Sequence, residues 1–486
     1  MKRLLTCKRF FAFVACMALL LSGGGLTAFA AETDATWEMT VPQIRVTTEN
    51  GNGTALQKED GYQNAQITIT DTDGSVLTNN CQLKVRGNTT ALSWIEKKAF
   101  TVKFDKKTDV LGMGKGKKWA LVANAFDPTL LRNYMAFSLA KKLGLAYTSE
   151  FRFTELWVDG VFRGCYFLTE PVQEGKDRVD IDIKSNDGKN DFLIEYEARR
   201  QEDDVTYFTV QGLRFIASEP EEPDEAQLDY IQSTMDEIIS AIRRGDPEEI
   251  AEKIDVPSFA KFYLLNEFLK TFDFDMSSVF FYYQNGKLYA GPVWDYDLSA
   301  GNTNPDYLPR GLEAHSPENV HANKNIYRYL AGQDWFVDAV RSVYRAYYSD
   351  FSAVSADGGM LDSAYAQYSD VFSRNYREAG WYVGMWWINI QMKPLLTYDK
   401  NYAYLKDWCR QRNTWMTGYY KPFAKGDADG DGTVTVNDVT VMQRFLAETE
   451  QELPLPAADV NGDGTVTVED ATLIQRLLAE FEAELS

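Results

Sequence analysis

Residues 271–301 read TFDFDMSSVFFYYQNGKLYAGPVWDYDLSAG, and this stretch decides how the chain is organised. Asn285-Gly286 separates two runs of aromatic and β-branched residues, Ser278–Gln284 and Lys287–Trp294. That pattern is the strongest short-range signal for a hairpin. Pairing Gln284 with Lys287 and counting outward brings Asp273 and Asp275, on the way in, beside Asp295 and Asp297, on the way out. Cross-strand neighbours lie about 5 Å apart, so one tight turn is expected to collect four acids at one end. Such crowding is unfavourable without a counter-ion and suits one or two divalent cations. The alternative is that the acids cap strand ends in water; Phe272, Phe274 and Trp294 argue for partial burial instead.

Upstream of the hairpin, Ser258 is read as the cap of a helix running to Lys270, and a further helix spans 225–243. Before the acidic loop Glu219-Pro220-Glu221-Glu222-Pro223 the texture is β-rich. Strands are read at Gln66–Thr70, Gln82–Arg86, Phe100–Phe104 and Trp119–Val122, and a hairpin at 151–169 turns on Asp159-Gly160. Between them a helix is predicted from Pro128 to Leu143, capped by Asp127 and ended by Gly144. A β-rich first half followed by a helical second half implies two lobes of one α+β unit over residues 37–424.

Downstream the composition changes. Residues 427–438, DADGDGTVTVND, and 459–470, DVNGDGTVTVED, repeat one design. Oxygen ligands stand at loop positions 1, 3 and 5: Asp427, Asp429 and Asp431, then Asp459, Asn461 and Asp463. Gly432 and Gly464 permit the sharp turn at position 6. Thr433 and Thr465 offer carbonyls at position 7, and Asp438 and Asp470 close the loops. This is the spacing by which a twelve-residue loop surrounds Ca²⁺, and it predicts two calcium ions needed for folding as well as binding. An amphipathic helix follows each loop. No helix can precede the first, because Lys425-Gly426 cannot begin one, so the small module 425–486 is all-α but not a paired EF-hand.

The net charge of −21 is expected to repel nucleic acid and anionic membranes. Residues 1–30 combine a basic start, the apolar run Phe10–Leu21 and Ala28-Phe29-Ala30, which reads as a cleaved signal peptide and a secreted protein. A retained anchor is the alternative; no other segment resembles a membrane span. Cys81, Cys165 and Cys409 remain after cleavage and allow one disulfide at most. The only histidines, His315 and His321, share one polar loop, so a Ser-His-Asp or Cys-His site is not expected. The basic loop Gly112–Lys117 is read as a plain turn rather than a phosphate cradle, and Trp381, Trp386 and Trp387 as core rather than a sugar platform.

Several motifs fall in a recognisable order: Arg86-Gly87-Asn88-Thr89, Lys118-Trp119-Ala120-Leu121, Leu131-Arg132-Asn133, Gly160-Val161-Phe162-Arg163-Gly164 and Gly291-Pro292-Val293-Trp294-Asp295-Tyr296-Asp297. Over nearly all of residues 40–420 they resemble the spore-coat protein H (CotH) kinase-like family. The resemblance implies a two-lobed atypical protein-kinase fold that uses ATP with Mg²⁺ or Mn²⁺ and phosphorylates protein Ser or Thr. Carried over by position, Asp273 is the catalytic base, and Asp297 with Asp295 holds the metal. Ser278 stands where ordinary kinases place a metal-binding Asn, five residues after the base. Lys98 is the first choice for the α/β-phosphates, with Lys103 and Arg86 behind it. The predicted helix 128–143 contains no acid, so Glu155 is the candidate partner for that lysine, a solvent-facing strand acid being the other reading. The duplicated loop-helix resembles a type I dockerin, which implies a cohesin partner on a cellulosome-like scaffold. The competing expectation is a non-catalytic or carbohydrate-associated module recruited to plant-polymer degradation.

Overall fold

In the computed structural model the residues described are 39–184, 190–199, 205–303, 316–321, 324–379, 395, 397–430, 432–447, 453 and 455–479. Residues 1–30, read above as a signal peptide, His315, the three tryptophans at 381, 386 and 387, and Asp431 lie outside them. The unit described begins at Thr40.

The first lobe is a closed barrel. Its strands are β1 (Gln43–Thr48), β2 (Gln63–Thr70), β3 (Val76–Arg86), β4 (Ala99–Asp109) and β5 (Lys115–Val122). After helix α1 (Arg132–Lys142) come β6 (Phe151–Val158) and β7 (Val161–Thr169), and the order round the barrel is β1-β2-β3-β4-β5-β7-β6. Strict alternation decides what fills it: Leu83 and Val85 of β3, Phe100 and Val102 of β4, and Trp119 and Leu121 of β5 point inward. A void of about 10 Å³ is all that opens among Ile44, Ile67, Val102 and Leu168, so the barrel holds side chains rather than a ligand.

The second lobe begins with a five-stranded sheet, in the order β12-β11-β8-β10-β9. Its strands are β8 (Phe192–Tyr196), β9 (Thr206–Val210), β10 (Leu213–Glu219), β11 (Val279–Gln284) and β12 (Lys287–Ala290). Helices α2 (Glu225–Arg244), α3 (Pro247–Lys253) and α4 (Val256–Leu269) precede the β11–β12 hairpin. After it come α5 (Asp334–Ala346), α6 (Tyr348–Ala353), α7 (Met360–Ala379) and α8 (Tyr398–Tyr420). The hairpin pairs Gln284 with Lys287, the register read from the sequence.

Two buried fastenings tie the lobes together. Phe137 of α1 and Phe372 of α7 pack edge-on against the barrel's outer face, on Phe167 and Phe153. Fully buried Lys97 donates from Nζ to the Cys165 carbonyl (2.7 Å) and to Asn375 Oδ1 (2.9 Å) on α7. Burial lowers that ammonium to about 7.

Helix starts differ from the sequence reading. Helix α1 begins at Arg132, not Pro128, because Asp127 spends its carboxylate on a tight turn, accepting from the Thr129 and Arg132 N–H groups. Helix α4 is capped by Asp255, whose carboxylate accepts from the Ser258 N–H; Ser258 is the third residue of the helix, not its cap. Among the described residues Cys81, Cys165 and Cys409 are free and buried, and His321 is buried beside Asp275.

The C-terminal module comprises α9 (Val436–Leu446), the single turn α10 (Leu455–Ala458) and α11 (Val468–Leu478) around a core of Val439, Met442, Val460 and Ile474. Tyr348 of α6 meets Phe423 edge-on at 5.0 Å, and Arg345 of α5 donates to the Pro422 carbonyl, so the connecting segment is seated on the helical lobe. Among the described residues no helix is long and apolar enough to cross a membrane.

Candidate functional site

The segment after β12 is held by the start of α1. Arg132 donates from Nε to the Ser299 carbonyl (2.8 Å) and from Nη2 to the Ala300 carbonyl (2.9 Å). Asn133 accepts from the Tyr296 N–H (2.9 Å), and Asn302 donates to the Asp297 carbonyl (2.7 Å). Arg132 is itself neutralised by fully buried Asp127 at 2.5 Å. The Leu131-Arg132-Asn133 motif is therefore the clamp that positions Trp294–Ala300.

On the other side, the turn Phe272–Asp275 is pinned by the Phe272 N–H donating to the Leu298 carbonyl (3.0 Å). This brings Asp273, Asp295 and Asp297 into one electrostatic group. Burial, then Asp295, Asp273 and Asp127 in turn, push the Asp297 carboxyl well above the usual carboxylate range. Asp273, 7% exposed, is raised to about 6, by burial foremost and against the pull of Arg199. Asp295 is raised by burial, while Arg86, Arg199 and a hydrogen bond with Ser278 oppose the shift. Ser278 (φ 61°) and Asp295 (φ 64°) both adopt the left-handed conformation, a strain of order 1 kcal/mol each.

The fourth acid of the expected cluster goes elsewhere. Asp275 accepts from the Lys324 N–H (2.6 Å) and lies 3.9 Å from His321 Nδ1, because the 3₁₀ turn points alternate side chains apart where an extended strand would have aligned them. Asp127 and Arg199 take part instead, and only the tertiary fold brings them in.

The phosphate-side candidates divide. Lys98 donates from Nζ to the Ala91 and Leu92 carbonyls and secures the β3–β4 connection. Glu155 pairs with Arg374 of α7 at 2.5 Å, so the expected Lys98–Glu155 ion pair is not formed. Arg86 and Lys103 occupy the outward positions of β3 and β4 that alternate with the barrel interior. Arg86 lies 4.9 Å over the Trp294 ring, next to Asp295, and Lys103 Nζ lies 5.0 Å over Tyr62.

The calcium-type loops are organised by their last residue. Asp427, Asp429 and Asp438 bring carboxylate oxygens within 4.8 Å of one another, with Asp427 and Asp438 fully buried. Asp438 accepts from the Asp429 N–H (3.0 Å) across the loop and from the Thr435 N–H (2.6 Å) as the partner in a capping box. Asp470 does the same for Asn461 (3.1 Å) and Thr467 (2.8 Å). In the second loop Asp459 accepts from Gly464 N–H (2.8 Å), and Asp463 accepts from Thr465 N–H (2.8 Å) and from Asn461 Nδ2 (3.1 Å). Three carboxylates so close, two of them buried, fit a divalent cation bound by oxygen; Thr433 flanks Gly432 in the same loop.

A filled barrel, a mixed helical lobe and a cluster of buried acids define a two-lobed kinase-like protein, and the appended loop-helix pair defines a calcium-type docking module. The family model described as CotH kinase protein matches residues 83–416, and that of the dockerin type I domain matches 425–479. The chain belongs to the CotH kinase protein family and carries a type I dockerin at its C-terminal side. No curated protein matches it. The dockerin implies binding to a cohesin module and an association of the cellulosome type.

Proposed function

We propose that this protein is a secreted phosphotransferase, moving the γ-phosphoryl group of ATP to Ser or Thr of a protein while its dockerin attaches it to a cohesin-bearing scaffold. The convergence of Asp273, Asp295 and Asp297 on one buried point carries the reading. In it Asp297 and Asp295, helped by Ser278, hold Mg²⁺ or Mn²⁺, which when bound neutralises charge on the β- and γ-phosphates. Asp273 receives the proton of the acceptor hydroxyl as that oxygen bonds to the γ-phosphorus; the bond from that phosphorus to the bridging oxygen breaks and ADP leaves. Arg86, with Lys103 beyond it, takes the phosphate-facing role first given to Lys98. Two calcium ions complete the dockerin: one on Asp427, Asp429, Asp431, Thr433 and Asp438, the other on Asp459, Asn461, Asp463, Thr465 and Asp470. The domain division proposed is a signal peptide at 1–30, the kinase-like unit at 37–424 and the dockerin at 425–486.

A second reading is favoured by one observation: Lys98 and Glu155 are each engaged elsewhere, so the ion pair of ordinary kinases is absent from the positions expected. On that reading the unit is a non-catalytic or carbohydrate-associated module acting in plant polysaccharide degradation. Labelled ATP with Mg²⁺ or Mn²⁺ separates the two. Wild type is expected to label itself or a Ser-rich peptide. Asp297→Ala is expected to fall at least about 10³-fold, since it removes both a metal ligand and the charge stabilisation that follows. Unlabelled wild type with no nucleotide-dependent thermal shift would leave the second reading standing.

A further inference from the structure

The turn that carries Asp273 brings no cation to it. Lys270, just before, donates to the Ser316 and Glu318 carbonyls (3.1 Å each), and two residues after Asp273 stands Asp275, turned to His321 and Lys324. The charge is supplied from outside. Arg199, in the segment after β8, donates from Nη2 to Asp273 Oδ1 (2.6 Å) and to Ser277 Oγ. The backbone leading to it is fixed: the Arg199 N–H donates to Glu197 Oε1 (2.7 Å), and the Ala198 N–H to the Met276 carbonyl (2.7 Å). A guanidinium carries five N–H donors. Both side-chain bonds come from Nη2, and 38% of the Arg199 side chain is open to solvent.

We propose that Arg199 is the positioning residue of the phosphotransferase site. It aims the Asp273 carboxylate at the acceptor hydroxyl and balances its charge beside Asp295, from a strand end rather than from the catalytic turn. This rests on the phosphotransferase reading. An exposed ion pair made only for stability contributes little and tolerates substitution. Arg199 differs because its partner is buried, and because Ser277 and two backbone bonds set its direction.

The test uses the full-length protein with labelled ATP, Mg²⁺ and a Ser-rich peptide, comparing wild type with Arg199→Ala, Arg199→Lys and Asp273→Asn. Arg199→Ala is expected to lower kcat about 10²-fold, within the range that a general base contributes, with the KM for ATP changed less than about threefold. Arg199→Lys keeps the charge and is expected to recover at least a tenth of wild-type kcat. Thermal melts with and without ATP report whether each variant folds and binds nucleotide. Active wild type with Arg199→Ala within about threefold of it overturns the inference. So does an Arg199→Lys variant that melts and binds ATP as wild type does yet is as slow as Arg199→Ala. Wild type that transfers no label with either metal overturns the parent reading, and this inference with it.

Discussion

The C-terminal loops and the buried acid cluster both gather carboxylates, but by opposite routes. In the first loop Asp427, Asp429 and Asp438 come from a single turn of chain, and one residue, Asp438, both closes the loop and caps the next helix. In the buried cluster Asp273, Asp295 and Asp297 are assembled by a hairpin, a helix start and an arginine from the segment after β8. A local site depends on its ion to exist. A non-local site inherits its shape from the core around it and keeps that shape without an ion, at the cost of burying unfavourable charge.

Removing calcium is the strongest way to break this contrast. Chelation is expected to abolish the helical signal of residues 425–479, because the crowded loop carboxylates repel one another without a cation and ion binding is coupled to folding. The two-lobed unit should still melt cooperatively. A module that keeps its circular dichroism in chelator would show that carboxylate crowding does not govern it. Next in size is Asp127→Ala, which leaves Arg132 buried and unpaired beneath Trp294–Ala300; the expected loss is about 3–5 kcal/mol in urea unfolding. A loss below about 1 kcal/mol would mean that the clamp is not what holds Trp294–Ala300.

A smaller effect follows from Asp273. Its folded carboxyl titrates near 6, above an ordinary carboxyl at about 3.9. The folded state therefore holds this proton more tightly than the unfolded one. Its contribution is full below about pH 4 and is lost as pH rises through 6, by on the order of 3 kcal/mol without divalent metal. Asp273→Asn should flatten that part of the pH profile; unchanged slopes in the variant would place the titration elsewhere. The smallest effect is expected for Lys98→Met. Since Lys98 serves the Ala91 and Leu92 carbonyls, phosphoryl transfer should change by less than about threefold, whereas a loss comparable to that of Asp297→Ala would restore Lys98 to the phosphates.

The contrast also explains what the sequence could show. Asn285-Gly286 settled the hairpin register, and the twelve-residue spacing pointed to the loop acids, of which Asp427, Asp429 and Asp438 lie together, because those relations are short-range. Local pattern located six of the seven barrel strands, β1 excepted, and the Asp159-Gly160 turn for the same reason. Arg199 escaped notice and Asp127 was read only as a helix cap, because nothing local marks their part in the site; each matters through a partner reached only by folding. Asp275 misled because an extended entry to β11 was assumed where a 3₁₀ turn occurs. Lys98 misled because adjacent strand residues point to opposite faces, and neither its strand's start nor its carbonyl partners could be read from spacing alone.

The Lys97–Asn375 bond joins positions 278 residues apart, across the whole helical lobe. During synthesis the barrel strands emerge long before α7, so the Lys97 ammonium and the Cys165 amide must wait, hydrated, for a partner not yet translated. The first lobe consequently cannot finish as an autonomous early product. A fragment ending before residue 360 should collapse into an open, protease-sensitive form, and the chain is suited to being handed on unfolded and completed only after its second half arrives.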